Sequence, residues 1–279
     1  MTDVASSGES VEAPEAERTT APLPGTRGSR VFALISKEFW SLLVSPVSWI
    51  LFALLYLFRG FEVSDLLQRF ARAGDVDSFP TYYLLTASTQ WMVVMVPPIL
   101  TMRTLAEEKR SGSLELLMTA PVRDWEVVFS KWFATWLFYV ALWVPSFAIL
   151  LWLQATLDVS FPIGQIATSY LGLLLVGSML LAVGVFTSSL TDNQLLASLS
   201  SILFAVGLLS VPGMLAGRGA ATIDSGFGRM FLEQANVVAH WQYWFFRGLV
   251  DTGHVVFYVS ATALFLFLTV RVVESRKWR

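Results

Sequence analysis

No cysteine occurs in the 279-residue sequence, which excludes disulfides, thiolate metal sites and cysteine nucleophiles. Histidine is almost as scarce. His240 and His254 lack a His-x3-His spacing and read as residues of a membrane interface, with a metal site the weaker alternative. There is no G-x4-G-K-[ST] phosphate loop, and Gly-x-Ser occurs only as Gly8-Glu9-Ser10, so neither ATP hydrolysis by the chain itself nor an intramembrane serine protease has its characteristic turn. Charge is sparse too, at 14% of residues against 55% hydrophobic, and a net charge of -2 offers no basic surface to nucleic acid.

Where the charges fall matters more than how few they are. Six windows hold none: Ser41 to Phe58, Ser78 to Met102, Trp132 to Leu157, Val159 to Thr191, Asn193 to Gly217 and Thr252 to Val270. A helix needs about 20 apolar residues to cross the hydrocarbon layer. The pattern therefore predicts an all-α, polytopic membrane protein whose six transmembrane helices lie near residues 45–60, 80–102, 127–153, 164–187, 194–212 and 252–271. Outside the windows roughly 130 residues remain, too few for an ATPase domain once loops are subtracted. Any energy source must come from elsewhere.

Residues 1–29, rich in Glu, Ala, Pro, Ser, Thr and Gly, read as a disordered, uncleaved tail ahead of a membrane domain at 30–279. From Arg30 to Ser45 an amphipathic helix is expected, with Val31, Phe32, Ile35, Phe39, Leu42 and Leu43 on one side. It either lies in the membrane interface and bends at Pro46, or runs on from the cytosol into the first span. With the amino terminus inside, inner segments carry 13 Lys and Arg and outer ones 6, which favours cytoplasmic termini. Two outer segments invite structure of their own. A short surface helix is expected within Arg59 to Asp77, and the segment Gly213 to Asp251 ends in Trp241, Tyr243, Trp244, Phe245 and Phe246, which suit the headgroup level. Gly213, Gly217 and Gly219 after Pro212 suggest that the fifth helix ends or turns back there. Gly172, Gly177 and Gly184 permit close helix packing, or simply face lipid.

The connection between spans two and three is the most informative stretch. Arg103 to Arg110 combines helix formers with charge, Ser111-Gly112-Ser113 is a break, and Ser113 can cap a second short helix ending before Pro121. Two short helices at a Gly corner form an elbow. Leu114, Leu116, Leu117 and Met118 give it an apolar surface, and Glu107, Glu108, Lys109, Arg110 and Glu115 offer charges to a soluble partner; an ordinary solvated loop is the alternative. Asp124 is placed as the N-cap of the third span, and Thr191 or Asp192 as the cap of the fifth.

Leu105 to Lys131, with Glu107-Glu108-Lys109-Arg110-Ser111-Gly112-Ser113-Leu114-Glu115-Leu116-Leu117-Met118-Thr119-Ala120-Pro121 at its centre, resembles the coupling-helix region of ABC-2 type transporter permeases, in particular the gliding-motility and copper-enzyme-maturation subgroup. Ser36-Lys37-Glu38-Phe39, Ser45-Pro46, Ser188 to Gln194, Arg247 to Asp251, Val255 to Tyr258 and Glu274 to Trp278 agree, while Ser130 stands where that family usually has Gly. The resemblance implies an exporter-class permease in the inner cell membrane, paired as a homodimer or heterodimer and docked on a separate ATPase that holds ATP and Mg, with no cofactor in this chain. Its coupling interface would comprise Glu107, Glu108, Lys109, Arg110, Gly112, Glu115, Leu116, Leu117 and Pro121, with Thr191, Asp192, Asn193 and Gln194 as a second inner contact or as caps alone. A secondary transporter and a non-transporting scaffold are the rivals; against the former, no charged residue falls inside a charge-free window, leaving Gln90 and Gln194 as the strongly polar candidates.

Overall fold

A computed structural model describes residues 27–73, 79–112, 123–157, 160–219, 236–237 and 240–275. Every regular element among them is helical. Helix α1 (Arg27–Val44) meets α2 (Pro46–Ala73) at a bend of 64°. Pro46 opens α2, where its missing N–H costs nothing, and Trp49 Nε1 donates to the Leu43 carbonyl across the bend at 2.7 Å. α3 (Phe79–Leu85) and α4 (Ala87–Thr101) form a second bent pair, at 44°, and α5 (Ala106–Ser111) follows one turn later. Then come α6 (Asp124–Leu157), α7 (Ile163–Leu190), α8 (Gln194–Gly219), a π turn at His240–Trp244, a 3-10 turn at Phe245–Arg247 and α9 (Thr252–Ser275). α6 to α9 are each long and apolar enough to cross a bilayer, and the total rises to six if each bent pair is one span.

α7 is the central post, with 78% of its most apolar window buried. Between helices in lipid the hydrophobic effect supplies little, so close van der Waals contact and interhelical hydrogen bonds must hold the bundle. Glycine makes the contact possible. A Cβ at Gly172 would collide with Phe245, at Gly177 with Tyr139 of α6, and at Gly184 with Thr101 of α4, so these glycines are packing sites and not lipid-facing surface. Trp132 Nε1 donates to the Ser178 carbonyl at 3.0 Å, and the Ser178 and Thr262 hydroxyls lie 3.2 Å apart, tying α6 and α9 to the same post.

Several sequence expectations change. The expected surface helix after Arg59 is not separate: α2 continues unbroken to Ala73, because Leu66 and Phe70 are buried and keep the helix against the bundle. The expected span at 80–102 is broken at Thr86, whose extended backbone and hydroxyl, accepting from Thr89 N–H, start α4 afresh. α8 runs through Pro212 and is described as far as Gly219, the last of the three glycines near which its end was expected. In the aromatic cluster, Tyr243 and Trp244 are exposed, but Trp241, Phe245 and Phe246 plug the end of the bundle, where Gln165 Nε2 donates to the Phe246 carbonyl at 2.6 Å. His240 and His254 are likewise buried within the chain, with rings stacked 3.9 Å apart.

Candidate functional site

The end of the bundle that carries α5 is built from polar contacts among four helices. α5 begins at Ala106 with backbone donors that no intrahelical carbonyl can satisfy. The Ser188 hydroxyl of α7 accepts two N–H bonds there, from Leu105 at 3.2 Å and Ala106 at 3.0 Å, and Leu105 and Ala106 are fully buried. The helix ends at Gly112, whose φ of 71° is the left-handed C-terminal conformation open to glycine. Its start is thus pinned to α7.

Two lysines fasten the middle. Lys109 Nζ donates to the Ser189 carbonyl at the end of α7 and lies 4.0 Å from the Asp192 carboxylate. Lys131 of α6, with 2% of its side chain exposed, bridges Glu38 of α1 at 3.0 Å and Glu108 of α5 at 2.6 Å. One cation therefore joins three helices. Through these contacts α5 is joined to α1, α6 and α7 together.

The structure brings together the two inner segments singled out in the sequence, through Lys109 and Asp192. Glu108 and Lys109 turn inward, while Glu107, Arg110 and Gly112 face outward. Ser113, Glu115, Leu116, Leu117 and Pro121 lie outside the described residues. Capping differs by a residue or two from expectation. Asn193 Oδ1, not Thr191 or Asp192, accepts from Leu195 N–H at 2.9 Å to cap α8, and Thr191 Oγ1 accepts from Asn193 N–H at 3.2 Å. Gln194 is the first residue of α8. At α6 the expected Asp124 cap is replaced by Glu126, whose carboxylate accepts from Arg123 N–H at 3.1 Å, because Asp124 is already helical.

A second polar centre, which charge counting missed, lies deep in the bundle. Arg59 has no exposed surface. It pairs with Glu62 at 2.8 Å and donates to the Tyr83 carbonyl at 3.1 Å, the Thr89 hydroxyl and the Ser146 hydroxyl at 3.1 Å, while its guanidinium stacks 3.6 Å from the Tyr83 ring centroid. Two helix irregularities converge on it. The break at Thr86 leaves the Tyr83 carbonyl available, and Pro145 disrupts α6 just before Ser146. There the Tyr56 hydroxyl accepts from Ser146 N–H at 3.0 Å and donates to the Leu142 carbonyl at 2.6 Å, so it inserts between the two groups that would bond each other in an uninterrupted helix. The sequence signal was Arg59 and Glu62 three residues apart ahead of Leu66 and Phe70, one continuous helical face.

Residues 64–245 match the family model described as ABC-2 family transporter protein. No curated protein matches the chain.

Proposed function

The chain belongs to the ABC-2 family of transporter proteins, and from that membership we propose that it is the permease subunit of an ATP-driven, exporter-class complex whose separate ATPase docks on α5 and the segment after it. Proteins of this family are membrane components of transporters and do not themselves hydrolyse ATP. In the proposed complex ATP and Mg reside on the partner, two permease subunits pair, each bent helix pair counts as one of six spans, and both termini face the cytoplasm of an inner-membrane protein. The gliding-motility and copper-enzyme-maturation permeases remain the subgroup whose motif the elbow resembles. The observation that carries the reading is the fastening of α5: Ser188, Ser189, Lys131 and Glu38 hold it inside the chain while Glu107 and Arg110 stay exposed on it. A lever needs both.

Buried Arg59 is the observation that favours an ion-coupled carrier, since a charge within a bundle is commonly part of an ion path. Its chemistry argues otherwise. Arginine does not release its proton in proteins, and this one is held by Glu62, Tyr83, Thr89 and Ser146 together.

Glu107→Lys and Gly112→Val test the docking face. A Cβ at Gly112 meets nothing within 4 Å, so valine leaves packing intact and strains only the backbone, by about 1–2 kcal/mol. Each variant is expected to insert and purify normally yet to retain about tenfold less ATPase than wild type or an exposed control, Ser64→Ala, as follows from reversing a charge or reshaping a loop at an interface. Wild-type retention in both would remove α5 as the contact.

A further inference from the structure

Two recesses follow one another along the seam between α2 and α4. The first is a cleft of about 540 Å3 between α1, the α4–α5 connection and α6, with Lys37, Arg103 and Glu107 at its rim, the Lys131 ion pairs on its floor, and Pro46 at the start of α2 and Leu100 near the end of α4 on its inner wall. The second is a groove of about 320 Å3 walled by Leu51, Leu55 and Phe58 of α2 and Met92, Val96 and Ile99 of α4, with no charged residue in its lining. Their order is the same on both walls. Moving away from the bend, α2 passes from Pro46 in the cleft to Leu51 through Phe58 in the groove, and α4, running the opposite way, passes from Leu100 to Ile99, Val96 and Met92. A polar chamber at the helix ends, followed along the same two helices by an apolar slot, has the division of a phospholipid.

Charge selects among phospholipids. The cleft is lined by three basic side chains, Lys37, Arg103 and Lys131, and three acidic ones, Glu38, Glu107 and Glu108. Lys131 is occupied by Glu38 and Glu108. Lys37, Arg103 and Glu107 are exposed, with no side-chain ion pair among the described residues, so the rim presents two cations and one carboxylate. A phosphodiester answers the cations, through charge-assisted bonds. An anionic glycerol headgroup leaves Glu107 facing a negative ligand, and a choline has no N–H to donate to it. A primary ammonium supplies both charge and donors.

We propose that the cleft and groove hold one phospholipid with an amine-bearing headgroup, its phosphate on Lys37 and Arg103, its ammonium on Glu107 and an acyl chain along the α2–α4 seam. The site lies at the α1 end of the bundle and shares Glu107 with the proposed docking face, so lipid and copurifying ATPase are read separately in every variant.

The test uses the full chain, exchanged into micelles containing equal amounts of phosphatidylethanolamine, phosphatidylcholine and phosphatidylglycerol with identical acyl chains, and weighs the retained lipid by native mass spectrometry. Wild type is expected to retain phosphatidylethanolamine about fivefold over either competitor, the equivalent of one partly exposed ion pair. Lys37→Ala combined with Arg103→Ala should reduce retention about tenfold, as two charge-assisted contacts are lost. Glu107→Gln should keep the lipid and lose the preference over phosphatidylcholine, and Leu55→Trp should lower retention of all three by filling the slot. Equal retention by wild type, a preference for phosphatidylglycerol, or an unchanged preference in Glu107→Gln would overturn the proposal. So would loss of a copurifying ATPase without loss of lipid in the Lys37 and Arg103 variant, because the rim would then belong to a protein contact.

Discussion

Replacing Lys131 by Met is expected to lower the melting temperature of the detergent-solubilised protein by about 6–12 °C, which corresponds to about 3 kcal/mol for a chain of this size. The cation is 2% exposed, and its loss leaves two carboxylates facing each other where one charge had bridged them. Removing one member of a buried pair typically costs about 3–5 kcal/mol. The lower end applies because Glu38 and Glu108 keep 23% and 21% of their side-chain surface, so water screens part of the repulsion. Adding Glu38→Gln and Glu108→Gln to Lys131→Met should recover at least half of the loss, since the cost is one of uncompensated charge. Differential scanning fluorimetry of the single and triple variants makes the comparison; equal melting temperatures for Lys131→Met and wild type would show that the bridge holds nothing.

Arg59→Met is expected to be at least as damaging, at about 3–5 kcal/mol. Methionine fills similar volume but strands Glu62, whose side chain is 13% exposed, and removes the donor to the Tyr83 carbonyl at the α3–α4 break. The hydroxyls fare better. Thr89 retains Thr86 at 2.8 Å and Ser146 retains Tyr170 at 2.8 Å, so the penalty concentrates on Glu62 and the Tyr83 carbonyl. Arg59→Met with Glu62→Gln should therefore be more stable than Arg59→Met alone, whereas Arg59→Lys should rescue only partly, because a point-like ammonium cannot span Glu62, Tyr83, Thr89 and Ser146. Thermal melts in detergent decide it, and a single variant as stable as wild type would mean that the guanidinium is dispensable to the bundle.

The membrane character was legible because a helix facing lipid excludes charge along its whole length, and the charge-free windows record that exclusion residue by residue. The glycines of α7 were legible as candidates, but whether each met Phe245, Tyr139, Thr101 or lipid depended on neighbours far along the chain. Arg59 was counted among the outer-segment charges, and its burial was not foreseen for a related reason. Counting charges treats every arginine as solvated, and only Ser146, 87 positions away, together with the carbonyl released at Thr86, shows how this one is accommodated within the bundle. Glu108 was recognised as part of a charged elbow, yet its partner Lys131 lies 23 positions on and belongs to another helix. Patterns of composition survive in a linear reading. Pairings across the bundle do not.

An ATPase subunit that works through α5 should stay with the full chain through affinity purification in mild detergent from its native membrane. Coupling through α5 requires that a separate nucleotide-hydrolysing subunit be recovered in near-stoichiometric amount, that the complex turn over ATP, and that Gly112→Val release the subunit while the permease stays folded. Recovery of the folded chain with no such subunit and no ATP turnover would contradict it.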